Sequence, residues 1–150
     1  MGYYSSGAIR ITGPKERMLA ELASLSLLGD ENMRDALKEF TLMADGEKDA
    51  VLGLDYEDWK WYPDYKDIQA VEKVWGRFED LWNESSEALF NGSFIRIGEN
   101  NEDIEQRHFG DSAPELIQLC RSFVCDHTLD RTKDLRNNRS SFNEPKTGTA

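Results

Sequence analysis

The chain's reactive inventory is two histidines, two cysteines and 29 carboxylates. His108 follows Arg107 and lies between Glu105 and Asp111, so an imidazole held by a carboxylate is one route to acid–base chemistry, and with it to a hydrolase. Such a site needs a nucleophile on a sharp turn. No Gly-x-Ser-x-Gly is present, and Asn91-Gly92-Ser93 reads as turn material, which leaves His108 as a surface strand residue. Cys120, Cys125 and His127, with His108 as a fourth donor, suggest zinc. Their Cys-x4-Cys spacing departs from that of closed tetrahedral sites, and a strand would turn the two thiols to opposite faces. Glu99, Glu102, Asp103 and Glu105 crowd one turn with oxygen donors, but the calcium-loop alternation is missing and a solvated hairpin turn accounts for them. Thr12-Gly13-Pro14-Lys15 lacks the second glycine of a phosphate loop and reads as a helix start. No cofactor and no metal is expected.

Binding is the chemistry these residue types suit better. Between Asp55 and Asp67, five aromatic residues alternate with five acids and two lysines. A core strand has no use for so much charge, and a solvated loop has none for two tryptophans. Trp59 and Trp61 share one strand parity and Lys60 and Tyr62 the other, so one set packs on the helices while the other faces out, and at least one tryptophan is expected in the core. The protein-binding surface then rests on Tyr56, Tyr62 and Tyr65 as anchors. Asp55, Glu57, Asp58, Asp64, Glu99, Glu102 and Asp103 supply its charge. A second possibility is a small anionic ligand held by Arg96, Arg107 or Arg121 in a pocket between sheet and helices.

The formal charge of −11 sharpens this choice. From His127 onward five basic residues face three acids, so residues 1–126 carry −13. A body so negative repels nucleic-acid backbones and anionic membranes and attracts basic proteins. Two cysteines make no disulfide framework. The start Met1–Ser6 lacks the basic and apolar segments of a secretion signal, and no apolar run reaches membrane-helix length, so a cytoplasmic protein is expected.

The elements that must position these residues follow from periodicity. Tyr3–Ile11 alternates as a strand, stopped by Thr12-Gly13-Pro14. Met18, Leu19, Leu22, Leu25 and Leu28 give a helix ended by Gly29. Asp30 caps a second helix with a face of Met33, Ala36, Leu37, Phe40 and Met43, followed by a polar turn around Gly46. Ala50–Leu54 is a short buried strand and Trp59–Tyr62 a second extended piece, with Asp55–Asp58 as a tight turn or a bulge between them. Asp67 caps a third helix carrying Ile68, Val71, Val74, Trp75, Phe78, Leu81 and Trp82. Phe94–Ile97 and Ile104–Phe109 form a hairpin. Beyond it, Leu116, Leu119, Cys120 and Phe123 fit a helix, and Ile117, Leu119, Arg121, Phe123 and Cys125 a strand; the sheet position left by the hairpin favours a helical turn at Pro114–Ile117 and then a strand up to Asp126 in the same sheet. Residues 127–150 are poor in apolar side chains and are expected to be a mostly disordered tail behind a single domain of residues 1–126.

Three segments carry a family resemblance. Met1-Gly2-Tyr3-Tyr4-Ser5-Ser6, Lys60-Trp61-Tyr62 and Phe94-Ile95-Arg96-Ile97-Gly98-Glu99 resemble the Met-Gly-Tyr-Arg-Ser start, the Lys-Trp-Tyr core and the Phe-Val-Arg-Ile-Gly-Glu turn of a group of small tailed-bacteriophage accessory proteins. Tyr4 stands where that group has arginine. The resemblance brings no established activity. It implies a phage protein acting in the host cytoplasm, where such proteins often bind and disable host proteins.

Together these readings predict an α+β fold: an antiparallel sheet of four to five strands with helices packed on one face in ferredoxin-like layering. They predict a non-enzymatic acidic binder that inhibits a basic host protein, such as a nucleic-acid-handling defence effector. The anionic-ligand sponge and the His108 hydrolase stand as alternatives.

Overall fold

The structure, a computed structural model, describes residues 3–84, 89–99, 103–111, 116–119, 123–125 and 127–137. Strand β1 (Tyr4–Pro14) runs into helix α1 (Lys15–Leu28), and Gly29 closes that helix by donating its N–H to Leu25 O. Asp30 then caps α2 (Glu31–Glu39), its carboxylate accepting the Met33 N–H at 3.0 Å. Strands β2 (Thr41–Asp45) and β3 (Asp49–Lys60) form a hairpin whose tight turn needs Gly46 at φ 83°. Helix α3 (Lys66–Glu84) leads to a second hairpin, β4 (Asn91–Gly98) and β5 (Ile104–Phe109).

The main sheet has the order β2-β3-β1-β4-β5, antiparallel throughout. β1 and β2 are therefore parallel with β3 between them, and β3 and β4 are parallel with β1 between them. These are the two interlocked split β-α-β units of ferredoxin-like layering, with β5 added at one edge. The helices bury one face of the sheet. Ile9, Ile11, Leu52, Leu54 and Phe94 meet Met18, Leu37, Val71, Val74, Trp75 and Phe78 in one apolar core.

Two expected elements differ, and of the two alternatives at Asp55–Asp58, tight turn or bulge, the structure shows the bulge. The second helix does not run on to Met43; it stops at Glu39, and Thr41–Asp45 is a strand. Phe40 to Met43 fits a helical step as well as an alternating strand, and pairing with Asp49–Gly53 decides in favour of the strand. Ala50–Leu54 and Trp59–Lys60 belong to one strand, bent by a bulge in which Glu57 and Asp58 oppose Ser6 alone, with Asp58 at φ 50°. The last strand does not extend the main sheet. β6 (Ile117–Leu119) and β7 (Phe123–Cys125) pair with each other. Leu116, Ile117 and Cys125 lie against Ala8 and Ile95 on the sheet's second face. Pro114, part of the expected helical turn, lies outside the described residues.

Residues 127–137 are docked rather than free. Leu129 lies against Gly53 and Leu135 against the core. The Asp134 carboxylate accepts the outward Leu42 N–H of β2 at 2.9 Å, covering that sheet edge. Arg131 and Arg136 donate to the carbonyls of Leu37, Lys38, Glu39 and Phe40, which α2 leaves without helical partners. Residues 138–150 of the expected tail lie outside the described residues.

Candidate functional site: an acidic cleft beside an open strand edge

The bulge in β3 decides which aromatic residues remain outside. Before it, Leu54 and Tyr56 face the helices and Asp55 and Glu57 face away. The extra residue shifts the alternation by one, so Trp59 and Trp61 return to the helix side with Tyr56. Tyr56 stacks on Trp61 with ring centroids 4.8 Å apart, and Trp59 meets both edge-on. Parity left the side of the tryptophans open; the structure buries Trp61 and packs Trp59, partly buried, against the same core. Tyr56 is a correction: it is 7% exposed, belongs to the core and cannot anchor a partner. Its hydroxyl sits over Gly7, has no hydrogen-bond partner among the described residues, and is pushed to a higher pKa by burial.

Two tyrosines remain at the surface. Tyr62 and Tyr65 pack ring on ring at 4.9 Å, Tyr65 is 42% exposed, and the Tyr62 hydroxyl accepts the Tyr3 N–H at 2.6 Å. Of the carboxylates, Asp55 is tied to the buried Arg10 at 2.7 Å. Glu99 accepts the Tyr4 N–H at 2.8 Å. Asp103 takes the Tyr3 hydroxyl and Arg96, which together hold its pKa below the usual 3.8. These three secure the start of β1 and the centre of the sheet. Glu57, Asp58 and Asp64 are exposed, and no described hydrogen bond or ion pair engages their side chains. Glu102 lies outside the described residues.

The chain adds carboxylates that the sequence reading did not single out. Asp35 and Glu39 from α2 and Asp67 from α3 join Asp55, Glu57 and Asp58 around one cleft of about 590 Å³, and no lysine or arginine lines it. Asp35 and Glu39 lie four apart off the apolar stripe of α2, a spacing that sets them on one flank. Asp67 stands in the first turn of α3 rather than at its cap, and accepts the Trp59 indole N–H at 2.9 Å.

Of the arginines expected to hold an anion, the two that the structure describes are already paired. Arg96 is paired with Asp103 at 3.2 Å and Glu105 at 3.1 Å. Arg107 is paired with Glu72 at 2.7 Å and lies 4.3 Å from the Phe94 ring centroid. Both guanidiniums are thus spent inside the helix-facing layer, because cross-strand neighbours Arg96 and Glu105 share a face. Arg121 lies outside the described residues. Ser93 Oγ and His108 Nδ1 are 3.2 Å apart, but Ser93 is 1% exposed, so a substrate carbonyl has no approach to its hydroxyl. Of the zinc donors considered, Cys120 lies outside the described residues, burial raises the pKa of the Cys125 thiol, and His127 Nε2 faces Asp45 at 3.5 Å. Among the described residues no three histidine, cysteine or acidic side chains cluster to hold a metal ion, and no helix is long and apolar enough to cross a membrane.

Comparison of the chain with protein-family models, with characterised proteins and with solved structures finds no match.

Proposed function

We propose that this chain is a non-enzymatic binding protein that docks through its carboxylates on a basic protein and inhibits it by covering a cation-lined surface. In the phage setting that the resemblance implies, the target is a host factor that handles nucleic acid, such as a defence effector. The observation that carries this reading is the cleft between α2 and β3, lined by Asp35, Glu39, Asp55, Glu57, Asp58 and Asp67 and by no lysine or arginine, with Asp55 alone of the six held by a buried arginine. Glu57 and Asp58 of this lining are exposed, as is Asp64 further along the chain, and the exposed Tyr65 ring adds an aromatic contact.

The physics is that of like charges held on a rigid frame. Their mutual repulsion is relieved when a partner's lysines and arginines arrive, and the field of residues 1–126 steers that encounter. Such binding weakens steeply with salt. Immobilised chain challenged with bacterial lysate is expected to release its basic partners as salt rises from low values to about 0.5 M. Partners that stay bound unchanged across that range contradict the reading.

A further inference from the structure

The acidic cleft has a floor of a particular kind. β2 pairs with β3 only from Asp49 to Gly53. From Leu54 on, β3 has β1 on one side and, among the described residues, no strand on the other. The hydrogen-bond parity of this open edge is fixed by its neighbour. Leu42 sends its N–H away from β3, to Asp134, so Thr41, Met43 and Asp45 are the β2 residues that bond across to Gly53, Val51 and Asp49. Continuing that alternation, Asp55 turns its N–H and C=O, and Glu57 its N–H, into the vacant position. The bulge at Glu57 and Asp58 then ends the regular edge. These residues line the cleft, with Asp35 and Glu39 of α2 above it on the helix side and Asp67 at its far end.

An unpaired strand edge is a template for any passing strand. Here the surrounding carboxylates repel neutral-to-acidic strands, including the same edge of a second copy, and favour a strand that brings cations. We infer that Leu54–Glu57 is a β-addition site: an extended, arginine- or lysine-bearing segment of the partner pairs antiparallel with this edge, end to end with β2. Residues of that segment opposite Leu54 and Tyr56 project toward Asp35 and Glu39. Those opposite Asp55 and Glu57 project to the other face, where Glu57 is exposed. Backbone bonds to Asp55 and Glu57 supply affinity, and charge selects the sequence. This deepens the docking reading above and rests on it.

The probe is a capped heptapeptide of alternating arginine and valine. Its twin carries the same side chains and charge but is N-methylated throughout its backbone, and so cannot donate to a strand edge. At low salt the parent peptide is expected to bind and to slow hydrogen exchange at the Asp55 and Glu57 amides. The methylated twin is expected to bind about tenfold more weakly, the worth of one to two net hydrogen bonds. Equal binding of the two peptides, or no protection of those amides, overturns strand addition and leaves charge docking standing. Binding of neither makes the carboxylates guards against edge pairing and overturns the proposal together with the reading beneath it.

Discussion

Tyr56 shows how one backbone irregularity reassigns a side chain's role. Its ring contributes area to the aromatic stack with Trp59 and Trp61, while its hydroxyl is buried without a partner among the described residues. A buried, unsatisfied hydroxyl costs about 1–3 kcal/mol. Tyr56→Phe is therefore expected to raise the unfolding free energy by up to about 1 kcal/mol once packing changes are allowed for, as measured by urea denaturation. A loss of stability would mean that the hydroxyl has a partner after all. The letters Asp55-Tyr56-Glu57-Asp58 allowed a bulge as well as a tight turn, and the sequence left open which of the two, and so which parity follows; the structure places the positive φ at Asp58. That a tryptophan would be buried was legible, because large aromatics seek a core.

At the scale of elements, periodicity carried most of the fold. The alternation in β1, the seven-residue apolar stripe of α3 and the β4–β5 hairpin all stand where their patterns put them. What periodicity could not reveal was β2, whose spacing also fits a helix, and the docking of residues 127–137, whose bonds run from arginine and aspartate to main-chain groups. A polar composition reads as a tail when its partners are carbonyls far away in the sequence. Asp134 is the pivot of that docking. Burial pushes its pKa up, but hydrogen bonds from Arg136 and the Leu42 N–H outweigh this and leave it below 3.8. A depressed carboxylate contributes stability in full above its unfolded pKa and loses it as pH falls through the folded value. Asp134→Asn is expected to cost about 2 kcal/mol at pH 7, and the difference from the parent chain is expected to shrink as pH drops below about 4. A difference that stays constant through that range, in denaturation curves taken at several pH values, would remove Asp134 from this role.

For the whole molecule, charge is the property the sequence states most openly, and its arrangement is what the fold adds. Asp55, Glu99 and Asp103 were candidates by sequence, and Arg10, Tyr4, Tyr3 and Arg96 of the same chain engage them. Glu57, Asp58 and Asp64 remain turned to solvent, and α2 brings Asp35 and Glu39 to the cleft that Glu57 and Asp58 also line. That gathering depends on contacts between segments distant in the chain, so composition shows the charge but not the place. The most direct test is the triple reversal Glu57→Lys, Asp58→Lys, Asp64→Lys, in a chain whose unfolding curve confirms an intact fold. Its affinity for the basic partner retained by the parent chain is the quantity to measure. The account predicts a loss of at least about a hundredfold at low salt, most of it recovered as a vanishing difference at high salt. Undiminished affinity in the reversed chain would contradict it.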